Sequence, residues 1–67
     1  MTVARVTEIS STSPHSFEDA IGQGIARATK TLRNVKSAWV KEQRVDIENG
    51  HVVEYQVNLL VTFVLDD

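Results

Sequence analysis

The chain has 67 residues, carries a formal charge of -2 with both signs interspersed, and contains no cysteine. One domain of this size draws no more than ~3–5 kcal/mol of net stability from a core of its own, and the missing cysteine removes disulfides, thiolate metal sites and thiol nucleophiles together. No Lys/Arg cluster tracks phosphates, no apolar stretch reaches membrane-spanning length and MTVARVTEIS has no signal-peptide core, so the expectation is a soluble cytoplasmic protein that binds neither nucleic acid nor membrane.

In chain order, the alternation from Val3 to Ile9 predicts a first strand, and Ser10 to Pro14 reads as a turn cluster. Ser16 stands as an N-cap for a helix beginning at Phe17, with Asp19 placed to return a hydrogen bond to the cap backbone. Glu18 and Asp19 suit the positive end of the helix dipole. Phe17, Ala20, Ile21, Gly24, Ile25, Ala28 and Leu32 recur at three- and four-residue steps, which predicts one buried stripe. Gly22 and Gly24 each cost about 1 kcal/mol relative to alanine inside a helix, so a close approach to the sheet or to a second subunit is expected to offset them.

Val35 to Glu48 reads as a second strand, and Asn49-Gly50 is a strong signal for a type I′ hairpin. A two-residue turn sets Gln43 opposite Gln56, Trp39 opposite Leu60 and Ser37 opposite Thr62. On the last strand the odd positions from Tyr55 to Leu65 form an unbroken apolar row, while the even positions change from Glu54, Gln56 and Asn58 to Leu60, Thr62 and Val64. Ala38, Val40, Val57, Leu59, Val61 and Phe63 are the expected seat of the helix. The other face is left with Val35, Ser37, Trp39, Gln43, Gln56, Leu60, Thr62 and Val64, half apolar and half hydrogen-bonding. The expectation is therefore one α+β domain over residues 1–67, a β-α-β-β chain whose three-stranded antiparallel sheet wraps one helix. It hides its remaining apolar surface by pairing with copies of itself.

No catalytic set stands out, and the chain reads as a non-enzyme. Glu42, Asp46, Glu48 and Glu54 lie near Lys36, Lys41 and Arg44, where cross-strand ion pairs account for them. The serines lack a nucleophile elbow, the glycines match no phosphate-binding loop, and His15 and His51 lack metal-ligand spacing. Trp39 serves either as interface packing or as a stacking platform for a flat heterocyclic ligand. Gln56 either pairs with Gln43 as a rung or orients such a ligand through its amide.

The segments Thr12-Ser13-Pro14, Ser16 to Ala20 (SFEDA), Ala26 to Val35 (ARATKTLRNV), Glu42 to Arg44 (EQR), Ile47 to Gly50 (IENG) and VVEYQVNLLVTFVLDD to the C-terminus, in this order and spacing, resemble the dodecins. That resemblance implies a hollow homododecameric shell that stores or sequesters a flavin, riboflavin or FMN. In such a shell the ring stacks on tryptophans of two subunits and hydrogen-bonds to a strand glutamine, whose position Gln56 occupies. The tryptophan position, three residues after Asn34, is filled by Ser37. Trp39 lies two residues further along the same strand face, and a basic residue of many members is replaced by Val64. The candidate flavin-binding set is thus Gln56, Ser37, Trp39, Arg44 and Gln43, with Ser37 lining a vacated space beside Gln56. No metal ligands are expected. The alternative is a structural shell, or one that holds metal or another small molecule and binds no flavin.

Overall fold

The computed structural model describes residues 2–65; Met1, Asp66 and Asp67, at the ends of the predicted domain, lie outside the described residues. The elements are β1 (Ala4–Ser13), α1 (Phe17–Thr31), β2 (Val35–Glu48) and β3 (His51–Val64). They form the expected antiparallel sheet, in the order β1-β3-β2, with the C-terminal strand at the centre. The hairpin turn has positive φ at both Asn49 (51°) and Gly50 (78°), as a type I′ turn requires. Among the described residues no helix is long and apolar enough to cross a membrane.

The helix begins where its cap predicts. Ser16 is the N-cap, and its hydroxyl accepts from the Asp19 amide at 2.9 Å. The expected return bond from the Asp19 carboxylate does not form. That carboxylate accepts instead from Ser13 Oγ at 2.6 Å and from Gln23 Nε2 at 2.7 Å. Ser13 is itself buried, and its oxygen accepts the His15 amide at 3.0 Å, so the end of β1 is tied to the first turn of α1. This explains why β1 runs four residues past Ile9, through what reads as a turn cluster: the hydroxyls of Ser11 and Ser13 face the helix and find partners there. Ser11 Oγ donates to the Ala20 carbonyl at 2.7 Å.

The helix packs through Ala20, Gly24 and Ala28 against fully buried Val57, Leu59 and Val61, with Ile9, Phe17, Ile21, Ile25, Leu32 and Val35 around them. Gly24 is where the two layers come closest. A Cβ built there would stand 3.0 Å from Ser11 Cβ and 3.2 Å from Leu59 Cδ1, whereas one at Gly22 would meet open space. The helix lies over β1 and β3. Ala38 and Val40, expected beneath it, share its side of the sheet but stay exposed, because the serine bonds hold α1 to the β1 edge.

Strand β2 carries register shifts between Val35 and Ser37, between Val40 and Glu42, and between Asp46 and Ile47. The first brings Val35 opposite Phe63 and into the core cluster, so Val35 belongs to the helix side and not to the open face on which it was expected.

Two predictions follow from this packing. Gly24→Ala should destabilise the fold by about 1–3 kcal/mol through overpacking, while Gly22→Ala should stabilise it by about 0.5–1 kcal/mol; chemical denaturation of both variants checks the contrast. The Ser13 hydrogen bond, helped by Gln23 and by the charge of His15 and opposed by desolvation, holds the Asp19 carboxyl below the usual carboxylate range. Stability from this group is therefore complete above the unfolded carboxyl pKa near ~3.9 and is lost as pH falls through that value and then the lower folded one. Melting curves taken from about pH 6 down to about pH 3 should fall less steeply for Asp19→Asn than for the parent chain.

Candidate functional site

The face of the sheet away from the helix has two halves. Near the base of the hairpin it is polar. Gln56 is half-buried and donates through Nε2 to Ser10 Oγ at 2.8 Å, Asn58 Nδ2 donates to Glu42 Oε1 at 3.0 Å, and Arg44 lies directly opposite Gln56. Arg44 Nε is 3.7 Å from Asp46 Oδ1, a loose pair between exposed side chains. Where the two halves meet, Lys41 reaches across β3 to Glu8, which pairs with Leu60, at 3.2 Å; the pair is half-exposed and worth under ~1 kcal/mol. Toward the other end the face is apolar. Trp39, 62% exposed, stands opposite Leu60, and Ser37 stands opposite Thr62, with Val6 of β1 beyond Thr62 and Val64 further along β3. The Thr62 hydroxyl oxygen is buried and has no hydrogen-bond partner among the described residues.

The structure keeps two of the expected rungs, Trp39 with Leu60 and Ser37 with Thr62, and breaks the third. The bulge between Val40 and Glu42 inserts an extra residue into β2. As a result Gln43 faces Val57, a helix-side residue, and Arg44 takes the place opposite Gln56. Gln43 still borders a shallow concavity of about 190 Å3 together with Glu42, Arg44, Gln56 and Asn58, but it does not form an amide rung with Gln56. The expectation that Ser37 lies beside Gln56 also fails within one chain. At ~3.3 Å per residue, Leu60 is roughly 13 Å and Thr62 roughly 20 Å along β3 from Gln56, so Trp39 and Ser37 lie far from the glutamine. One subunit brings Gln56 and Arg44 together at one end of the face, and Trp39 and Ser37 together at the other.

Sequence reasoning missed Ser10, Glu8 and Lys41 as parts of this face. Ser10 reads as part of a turn cluster because all four residues from Ser10 to Ser13 carry hydroxyls and show no alternation, and Lys41 is displaced by the bulge. The local hollow is smaller than the ~300–1,000 Å3 usual for a ligand pocket.

A sequence profile of the dodecin family matches residues 3–66. The chain belongs to the dodecin family. It is 43% identical over 65 residues to the dodecin of Thermus thermophilus, covering 97% of this chain and 94% of that one. The solved dodecin from Streptomyces davaonensis superposes with a TM-score of 0.93 at 39% identity, covering 98% of this chain and 97% of the other. A more distant relative, the calcium dodecin of Mycobacterium tuberculosis, whose structure is described as having a novel calcium-binding site, superposes with a TM-score of 0.83 at 30% identity, covering 96% and 91%. The family match and the superposition identify this chain as a small protein of a shell-forming family.

The exposed indole gives a direct test of what covers the open face. Trp39 is the sole tryptophan, so its emission should lie well to the blue of free indole in the associated protein and shift red on dilution. Leu60→Asp, which puts a charge into the apolar half, should give the red-shifted emission at every concentration. Emission of a fully hydrated indole from the concentrated parent protein would rule out burial of this face.

Proposed function

We propose that this dodecin binds and sequesters a flavin, riboflavin or FMN, inside a hollow homododecameric assembly, at sites to which two or more copies contribute. The observation that carries this reading is the division of the open face. A hydrogen-bonding end holds Gln56 and Arg44, an aromatic end holds Trp39 and Ser37, and they are too far apart to serve one ring within a chain. Bringing copies together face to face covers the apolar half and sets one chain's amide beside another's aromatic wall. Among the described residues only Nε2 of the Gln56 side chain is engaged, which leaves its carbonyl oxygen to accept from a ring N–H. Arg44 adds a fixed positive charge beside that amide. A flavin would supply redox and photochemical reactivity, and the carboxylates of this face, Glu8 and Glu42, are already engaged by Lys41 and Asn58, so the wall suits holding it without transforming it. The protein is accordingly read as a cytoplasmic binding protein and not an enzyme.

A second reading is a shell that takes no flavin and serves a structural role or holds a metal ion or another small molecule. Two observations favour it: Ser37 stands where the family resemblance expects the stacking indole, and one relative is named for calcium. Within one chain, no three His, Asp or Glu side chains among the described residues converge as metal ligands, so a metal would also require several copies.

Quenching of riboflavin fluorescence separates the two. Ser37→Trp should tighten binding roughly fivefold to more than a hundredfold, since stacking a ring on an aromatic side chain is worth ~1–3 kcal/mol. Gln56→Ala should weaken it. If neither the parent protein nor Ser37→Trp quenches riboflavin while both assemble, the flavin reading fails and the shell without flavin stands.

A further inference from the structure

Strands β2 and β3 outrun the rest of the molecule. The last rung of β1 is Ser13 with Tyr55, so residues 46–54 leave the sheet as a two-stranded arm that neither β1 nor α1 covers. The arm is not a polar loop. Ile47 is 65% exposed, Val52, directly opposite it, 46%, and Val53 43%. An isolated two-stranded ribbon is marginal in water, and three large aliphatic side chains on its tip are the wrong chemistry for a solvated end. Its acidic side chains are Asp46, Glu48 and Glu54, and among the described residues only Asp46 has a cation at hand, in the loose pair with Arg44.

The complementary feature lies on the other side of the molecule. A groove of about 570 Å3 runs along the outer edge of β1 and the flank of α1, with Ile9, Ala28 and Leu32 among its lining and Arg27 and Thr31 on the helix side. Lys30 follows on the same helix and is exposed. The groove thus has Ile9, Ala28 and Leu32 within and one cation, Arg27, on its helix bank, matching an arm that is apolar at its tip and acidic along its strands. β1 and β2 are both edge strands, so docking would also bring two unpaired backbone edges together. A chain cannot fill its own groove: its arm leaves beside the helix N-terminus, where Phe17 packs edge-to-face on Tyr55 at 5.1 Å, while the groove extends along the helix toward Leu32.

We propose that the hairpin arm of one chain docks into the β1–α1 groove of a second copy. The contact rests on the self-assembly part of the function proposed above and deepens it by naming the two surfaces. It joins unlike surfaces, so each chain both gives an arm and receives one. Repetition of such a head-to-tail contact closes into a ring when the rotation permits, which is how a small chain starts a closed shell.

The absence of cysteine makes the contact directly testable. Ile47→Cys, Val52→Cys or Val53→Cys would each be combined in one chain with Arg27→Cys or Thr31→Cys, all at exposed positions, and the assembled proteins oxidised. A disulfide requires Cα atoms within about 7 Å. At least one combination should give a ladder of covalently joined chains on a non-reducing denaturing gel, and the corresponding single-cysteine proteins should give no species beyond a dimer. Independently, Arg27→Glu should raise the concentration at which the assembly dissociates by tenfold or more, and adding Glu48→Lys in the same chain should recover most of that loss. No ladder from any combination, with the proteins still sedimenting as assemblies, overturns the contact and leaves self-assembly standing. A parent protein that sediments as a monomer overturns self-assembly and the contact with it.

Discussion

The architecture depends on a mismatch of lengths between one short helix and two long strands. At 1.5 Å per residue the fifteen residues of α1 span about 22 Å, whereas at ~3.3 Å per residue the fourteen of β2 or β3 span about 46 Å. The chain is accordingly drawn out to 52 Å along its longest axis and only 13 Å along its shortest. A helix of this length protects one stretch of one face. Everything else of interest, the bare open face, the protruding arm and the groove at the β1 edge, is the part of the sheet that the helix cannot reach.

Where the helix does reach, it is held tightly. Gly24 lets the backbone of α1 descend onto Ser11 and Leu59, and the Ser11 and Ser13 hydroxyls bind the helix to β1 through its Ala20 carbonyl and its Asp19 carboxylate. These contacts draw α1 toward β1 and away from β2. The same attachment that secures the core strips Ala38 and Val40 of cover, so the stability of the subunit and its appetite for partners have one cause.

Much of this is legible in the sequence because it is governed by local rules. Ser16 before Phe17 marks the helix start, Asn49-Gly50 marks the hairpin, and the apolar rows of α1 and β3 identify the core that Ala20, Val57, Leu59 and Val61 form. The extent of β1 was not legible, because serine and threonine read as turn formers unless a hydrogen-bonding partner on another element is known. The bulge at Lys41 was not legible either. One inserted residue reverses the facing of everything beyond it, and nothing in KEQR announces the insertion. This is why Arg44 and not Gln43 stands opposite Gln56. The separation of Ser37 from Gln56 follows from the strand rise, but only a firm register places the two residues at opposite ends of the face.

The strand order has a consequence for how the protein comes into being. The central strand follows the other three elements in the chain, and its partner β1 precedes them, with Ala4 paired to Val64. A nascent chain can form α1 and then the β2–β3 hairpin from local contacts, yet β1 has no strand to pair with until β3 leaves the ribosome. Pairing β1 with β3 closes a loop that contains α1 and β2, the slow kind of contact in folding. Until then β1 and the unpaired edge of β3 are both open to wrong partners, so crowded polysomes and high-level expression are the conditions under which this chain is most exposed to misassembly.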